Sequence, residues 1–136
     1  ENGKGVFETL AKASSIEWQH IKTGDGIESS INYVTTSHKE GEDSSAFNLI
    51  TGRLCVEGNL VTEIREANHS HPGNRMYPSG MRSNDKDGDI FFARWLDRLA
   101  GSKVNYNIFT PRNGKYTNYN ANSKEEDFIS TYSGMW

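Results

Sequence analysis

The sequence predicts a mixed α/β fold in which helices pack against a largely antiparallel sheet. Apolar residues recur at helical spacing in three segments, and two pairs of β-rich segments are joined by turn sequences. The predicted order is helix, hairpin, helix, strand, helix, hairpin, which favours helices layered on a sheet. With 136 residues the chain is long enough for one sizeable core, so we expect a single domain over residues 1–136.

The first part of the chain supplies a helix and a hairpin. Residues 5–13 carry apolar side chains at helical spacing and predict a short amphipathic helix. Residues 16–23 and 31–36 are rich in β-branched and aromatic residues and predict two strands. The Gly-Asp-Gly sequence at 24–26 predicts the turn between them. The charged segment 37–45 predicts a solvated loop.

The middle of the chain predicts a second helix and a third strand. Residues 46–56 have apolar positions at helical spacing, and Gly58 is a stop signal after them. Residues 59–68 then predict the strand that leads to a pair of histidines. These histidines are therefore expected where a strand gives way to a loop.

The last part predicts a helix and a second hairpin. Residues 89–100 form a helix whose apolar residues are expected on one core-facing side. Those apolar residues are Phe91, Phe92, Trp95, Leu96 and Leu99. Residues 104–110 and 116–119 predict two strands around an Asn-Gly turn, and the tail 122–136 is polar and then aromatic.

Composition excludes several classes of function. The chain has 15 basic and 18 acidic residues, a net charge of −3 and no basic stripe, so we expect no nucleic-acid partner. No apolar run approaches the length that crosses a bilayer, so we expect no membrane partner. The single cysteine, Cys55, excludes an intrachain disulfide and a cysteine-rich zinc site. The chain begins at Glu1 without a signal peptide, so we expect a piece of a longer protein whose localisation the sequence does not give.

The candidate catalytic and metal-binding residues are concentrated around His69 and His71, which are separated by one residue. In an extended segment, side chains at positions i and i+2 share a face, so both imidazoles can reach one ion. Pro72 ends the strand. A His-x-His pair in a loop is more often plain polar surface than a metal site, but here Ser79 and a helix that opens on Asp89 follow it.

A zinc ion suits this set of side chains. Zinc takes neutral imidazole nitrogens and carboxylate oxygens, and a catalytic site typically has three protein ligands and a fourth position for water. The two histidines and one aspartate would supply those ligands, with Asp85, Asp87 and Asp89 as the candidates. The same alternating aspartates could suggest a calcium loop. However, an EF-hand needs Gly and Glu where this chain has Ile90 and Leu96.

The run HSHP, then PS eight residues after the second histidine, then an aspartate at a helix start resembles the JAMM metalloprotease motif H-x-H-P-x6-S-x2-D of JAB/MPN domains. With EWQHIKTG near the start, the whole chain looks most like the JAB-like toxin domains of polymorphic, RHS-type secreted proteins. One position departs from the motif: Arg82 stands where the family has its aspartate, and an insert follows. We prefer Asp89 as the third ligand because Asp-Ile leads into a helix, as in the family.

The resemblance implies a JAB/MPN-like fold, similar to the cytidine-deaminase-like α/β/α arrangement, in which a mixed sheet is flanked by helices. It implies a zinc-dependent metallopeptidase or isopeptidase that acts on a protein or peptide. The toxin setting implies an effector delivered into a target cell, with an immunity protein as a second partner. An alternative is a catalytically inactive JAB/MPN-like module that binds a partner protein, since many family members lack a working site.

The resemblance also assigns roles to two further residues. Glu17 lies where the family has its general base, upstream near the first strand, and would pass a proton from water to the leaving amine. Its rivals are Glu8, Glu28, Glu63 and Glu66. Ser79 would donate a hydrogen bond to the oxyanion, and the alternative is a Pro-Ser turn residue that bonds to its own backbone. His20 could support the site by contacting one of its ligand residues, and His38 is expected to be exposed.

Overall fold

A computed structural model of the chain describes residues 2–24, 31–36, 45–54, 60–72, 76–79, 81, 88–101 and 104–128. The strands in these ranges are β1 (Gln19–Thr23), β2 (Ile31–Thr35), β3 (Ile64–Ser70), β4 (Asn105–Thr110) and β5 (Lys115–Tyr119). The α-helices are α1 (Asn2–Ala13), α2 (Ser45–Leu49) and α3 (Asp89–Ala100). A π-helical stretch, Ile50–Leu54, continues α2, and short 3-10 helices span Leu60–Glu63 and Glu125–Phe128.

The five strands form one mixed sheet in the order β2-β1-β3-β4-β5. Three of the four pairings are antiparallel, and β3 pairs in parallel with β4. A parallel pair needs a crossover connection, and α3 lies in the segment between these two strands. The sheet is flanked by helices, so the predicted fold class is confirmed.

Each face of the sheet is covered by different helices. On one face Phe7 and Ala11 of α1 pack with Phe109 of β4. The other face carries the larger core, where α2 and α3 pack on the sheet through buried apolar side chains. The strand residues of that core include Ile21, Ala67, Tyr106 and Ile108.

The bounds of α3 match the prediction, and its predicted buried side is confirmed in part, because Leu96 is buried and Phe92 and Trp95 pack against the core. Phe91 and Leu99 were expected in the core, yet they are 45% and 40% exposed. The residues that face the sheet are Ile90, Ala93, Leu96 and Ala100. The helix carries two apolar stripes, and the one with the small alanines is buried because it lets the helix axis approach the sheet closely.

Other element bounds also differ from the sequence prediction. The predicted strand 59–68 begins as a 3-10 helix and becomes strand only at Ile64, and it runs on to Ser70. The predicted helix 46–56 is α-helical only to Leu49, and Gly52 lies in the π-helical stretch that follows, where glycine weakens regular helix. The first helix begins earlier, and the first strand later, than predicted. Predictions for residues 25–30, 37–44, 55–59 and 129–136 lie outside the described residues.

A row of polar side chains crosses the whole sheet on the face that α1 covers. Asn118 donates to Asn107, Asn107 donates to Asn68, and the Asn68 amide then contacts His20 Nδ1 at 2.9 Å. His20 Nε2 lies 2.7 Å from Asn32 Oδ1. Because Asn118 Nδ2 also donates to a backbone carbonyl, the direction of every bond in the row is fixed. The row therefore locks the register of β3 between its neighbours.

Replacing Asn68 by alanine should destabilise the fold more than replacing Asn118. Asn68 is fully buried and bonds to His20, Glu66 and Asn107. Its replacement therefore leaves buried polar groups without hydrogen-bond partners. We expect Asn68→Ala to lower the free energy of unfolding by about 2–4 kcal/mol in urea titration. The matched control Asn118→Ala, at the exposed end of the row, should cost about 1 kcal/mol or less. Equal losses would contradict the role of the row.

Candidate metal centre

The two histidines lie side by side at the end of β3. His69 is within the strand, and the backbone stays extended through His71 because its N–H donates to the Phe109 carbonyl of β4 at 3.0 Å. Both side chains therefore point to the face covered by α3, and their Nε2 atoms are 3.0 Å apart. They are only 5% and 6% exposed.

Asp89, the first residue of α3, completes a triangle with these imidazoles. Its Oδ1 lies 3.0 Å from Nε2 of His69, and its Oδ2 lies 3.3 Å from Nε2 of His71. Ligands bonded to zinc at about 2.0–2.1 Å in a tetrahedron are separated by about 3.3 Å. The distances between the two nitrogens, and from each nitrogen to one oxygen of the carboxylate, are thus close to the separation of ligand atoms around zinc.

Protons alone cannot satisfy all three contacts of this triangle. If one imidazole carries its hydrogen on Nε2, that hydrogen serves one contact, and the other imidazole meets the carboxylate with lone pair against lone pair. If both carry it, two N–H groups face each other across 3.0 Å. A cation between these groups would attract both imidazole nitrogens and the carboxylate at once. The residues present therefore fit a bound metal.

Glu17 brings a second carboxylate to the same place. Its ligand atom and those of His69 and His71 all lie within 4.8 Å of one another, and all three side chains are buried. The pairing of β1 with β3 places Gln19 opposite His69. The same register, continued by two residues, places Glu17 opposite His71. This buried cluster could hold a metal ion.

The backbone around Glu17 is fixed by hydroxyl groups of two other strands. The Thr36 hydroxyl, just beyond β2, donates to the Glu17 carbonyl. Trp18 N–H donates to the Ser70 hydroxyl at 2.9 Å, and Ser70 N–H donates back to the Trp18 carbonyl at 3.0 Å. Ser70, the residue between the two histidines, thereby ties the glutamate segment to the histidine strand.

Ser79 is bonded reciprocally to Asp89. The Asp89 N–H donates to the Ser79 hydroxyl, and the Ser79 N–H donates to Asp89 Oδ2, both at 2.9 Å. The Ser79 carbonyl also accepts the N–H of Ile90 at 3.1 Å. Gly88, at the N-cap position, makes no side-chain cap. Ser79 therefore caps α3 from ten residues upstream and orients the carboxylate of Asp89. Its predicted oxyanion role stays a prediction.

The surroundings keep Asp89 ionised. Burial acts to raise the pKa of this carboxyl, but the imidazoles of His69 and His71 outweigh it and hold the pKa well below its usual range. The N-terminus of α3 adds a positive potential, which also favours the ionised form of the Asp89 carboxyl. Asp89 is therefore available as an anionic ligand.

Tyr119 of β5 is a neighbour of the site that sequence reasoning missed. Its ring meets that of His69 edge to face, with centroids 6.0 Å apart. Burial, with the charge of Asp89, raises the pKa of its hydroxyl well above the usual value, so it stays neutral. Fifty residues separate the two side chains in sequence, and only the parallel pairing of β3 with β4 and the final hairpin brings them together.

Other candidates from the sequence lie elsewhere. His20 was expected to support the site, but its ring is on the opposite face, stacked on Phe7 at 5.8 Å, so that prediction is wrong. Among the rival glutamates, Glu8 accepts a hydrogen bond from Tyr116, Glu66 pairs with Lys4, and Glu63 is exposed. The remaining candidates lie outside the described residues: Glu28, His38, Cys55, Arg82, Asp85 and Asp87.

The family described as JAB-like toxin 1 matches residues 1–94. The chain belongs to this family. The match includes Glu17, both histidines, Ser79 and Asp89, and it ends within α3. No curated protein and no solved structure matches the chain.

The mixed five-stranded sheet with its flanking helices is consistent with a JAB/MPN-like fold, as expected of a JAB-like toxin domain. In the part of the chain that the structure describes, none of the helices is sufficiently long and apolar to traverse a bilayer.

Removing the Ser79 hydroxyl should weaken both the helix and the metal site. Ser79→Ala loses the cap on α3, which should lower the free energy of unfolding by about 1 kcal/mol. It also releases the Asp89 carboxylate, and losing such support typically weakens metal affinity about tenfold or more. Urea unfolding and a zinc titration against a chromophoric chelator measure the two effects.

Ser123→Ala is the matched control, because the Ser123 hydroxyl also accepts a backbone N–H, that of Asn120, at 2.9 Å. It should lower stability by a similar amount and leave zinc affinity unchanged. The role given to Ser79 would be wrong if both variants bound zinc like the wild type.

Proposed function

We propose that this JAB-like toxin domain is a zinc-dependent metallopeptidase of the JAMM type that hydrolyses peptide or isopeptide bonds. One observation carries the proposal. The Nε2 atoms of His69 and His71 lie 3.0 Å apart and 3.0 and 3.3 Å from the two carboxylate oxygens of Asp89, and the Glu17 ligand atom lies within 4.8 Å of those of the imidazoles. Three protein ligands beside a carboxylate base is the arrangement of a hydrolytic zinc site.

The kind of donor favours zinc over other biological cations. Two imidazole nitrogens and one carboxylate suit zinc, whereas calcium and magnesium prefer shells built from oxygen. The described donors are nearly buried, so a metal held by them would be shielded from bulk solvent. Zinc bound there would supply a Lewis acid and would lower the pKa of a coordinated water towards neutrality.

Glu17 moves the proton in the proposed mechanism. Its carboxylate takes a proton from the attacking water and gives it to the leaving nitrogen, so that the products are a free carboxylate and an amine. The clamp formed by Thr36 and Ser70 on the backbone around Glu17 holds the carboxylate beside the two imidazoles. Such positioning limits the reorganisation that the reaction requires.

Ser79 is proposed to stabilise the oxyanion. In the described contacts its hydroxyl oxygen accepts the Asp89 N–H, which fixes that oxygen at the edge of the metal centre. The hydroxyl hydrogen would be donated to the carbonyl oxygen of the scissile bond, where negative charge develops. A donor of this kind lowers a barrier by about 3 kcal/mol.

Membership of a JAB-like toxin family supports a toxin role for this domain. We propose that the domain is delivered into a target cell, where it cleaves a protein, and that an immunity protein protects the producing cell. The net charge of −3 and the mixed surface charges favour a protein substrate over nucleic acid. These statements rest on family membership and on composition.

The test separates metal binding from proton transfer. His69→Ala should lose bound zinc by elemental analysis, because a first ligand is gone, whereas Glu17→Gln should retain about one zinc ion per chain. Glu17→Gln should nevertheless lose cleavage of labelled casein and of lysine-linked isopeptide conjugates by about 100-fold or more.

Glu8→Gln is the control for Glu17→Gln, since Glu8 lies in α1, which covers the other face of the sheet, and should leave both measurements unchanged. Retained cleavage in Glu17→Gln would remove this residue from the mechanism. A zinc-loaded wild type that cleaves none of these substrates would favour the inactive, partner-binding module instead.

A further inference from the structure

Gln19 completes a square of side chains whose other three corners are Glu17, His69 and His71. It lies directly opposite His69 in the pairing of β1 with β3, and directly opposed residues have side chains on the same face. Alternation along the chain puts Glu17 on that face as well. The square is therefore made of the three clustered metal-centre residues and one amide.

Among the described residues, the amide of Gln19 has no hydrogen-bond partner, although most of its side chain is buried. The residue is only 9% exposed. Within the described ranges its amide nitrogen and oxygen make no hydrogen bond, and they are not among the side-chain atoms fully enclosed by protein. The amide is therefore accessible to solvent.

The hydrogen bonding of Gln19 differs from that of two other amide side chains of the sheet. Asn68 and Asn107 are buried on the opposite face, and each is hydrogen-bonded within the polar row. Buried polar groups are normally paired in this way. The solvent-accessible amide of Gln19 is instead open to a partner from outside the chain. At Gln19 that partner would have to reach the metal centre.

The chemistry of the square limits what the partner is. An anion would meet the carboxylate of Glu17, and a cation would be held by that carboxylate and the imidazoles rather than by a neutral amide. A peptide group is neutral and offers one donor and one acceptor, which an amide side chain can match with its own acceptor and donor. Gln19 is thus suited to a polypeptide backbone.

We propose that Gln19 is a substrate-binding residue whose amide hydrogen-bonds a peptide group next to the bond that is cut. This rests on the proposed function, since it makes Gln19 the residue that recognises the chain being cleaved. It also gives the solvent-accessible amide a role distinct from those of the metal ligands and the general base.

The first test compares function with stability in Gln19→Met, which keeps the length of the side chain and removes its hydrogen bonds. Zinc content should be unchanged, and stability to urea should be unchanged or higher, because no protein contact is lost. The value of kcat/KM for labelled casein should fall roughly three- to tenfold through a higher KM. Lower stability together with an unchanged KM would show a structural residue and overturn the proposal.

The second test needs no catalysis. Gln19 is the only glutamine of the chain, so side-chain ¹⁵N-glutamine labelling gives one amide signal. In zinc-loaded protein, a peptide hydroxamate should shift this signal, and acetohydroxamate, which has no peptide chain, should not. An unmoved signal, equal shifts with both compounds, or no binding of the peptide hydroxamate would overturn the proposal.

The two tests also separate this proposal from the proposed function. If the Gln19 signal responds to the peptide hydroxamate but the wild type cleaves nothing, peptide binding stands and hydrolysis fails. If the wild type cleaves casein while Gln19→Met has an unchanged KM, hydrolysis stands and the assignment of Gln19 fails.

Discussion

The extended backbone of β3 is the constraint on which the site depends. Because side chains alternate along a strand, His69 and His71 point to one face while Asn68 and Ser70 point to the other. A slip of one residue in the pairing with β1 would send both imidazoles to the α1 side and separate them from Asp89. The two imidazoles therefore lie beside Asp89 only when this register is kept.

Two features fix that register. The polar row on the α1 side joins Asn68 to His20 and Asn107 on the neighbouring strands, and Ser70 bonds twice to Trp18. These residues would contribute nothing directly to chemistry, yet they occupy alternate positions with the histidines. One side of the central strand thus fixes the register of the sheet, and the other side carries the candidate metal ligands.

Much of the site could be predicted from local sequence. The i, i+2 spacing places two imidazoles on one face whatever the rest of the fold does, and Asp89 opens a helix whose bounds follow from its apolar spacing. The role of Glu17 was predicted from the family resemblance alone, because the local sequence does not indicate which of several glutamates lies beside a strand about fifty residues away. The structure places it beside the histidines through the pairing of β1 with β3.

The features that could not be predicted all depend on tertiary contacts. The apolar residues of α3 form two stripes, and only packing on the sheet decides that Ile90 and Ala93 are buried while Phe91 is exposed. The capping of α3 by Ser79 spans nine intervening residues, so no local capping pattern reveals it. The unpaired amide of Gln19 becomes visible only when the partners of every neighbouring amide are known.

Zinc K-edge X-ray absorption of the zinc-loaded protein tests the central claim most directly. The account predicts a shell of about four nitrogen and oxygen neighbours at about 2.0–2.1 Å, with the outer scattering of two imidazoles and no sulfur. A sulfur neighbour at about 2.3 Å, or a shell without imidazole scattering, would contradict a site built from His69, His71 and Asp89.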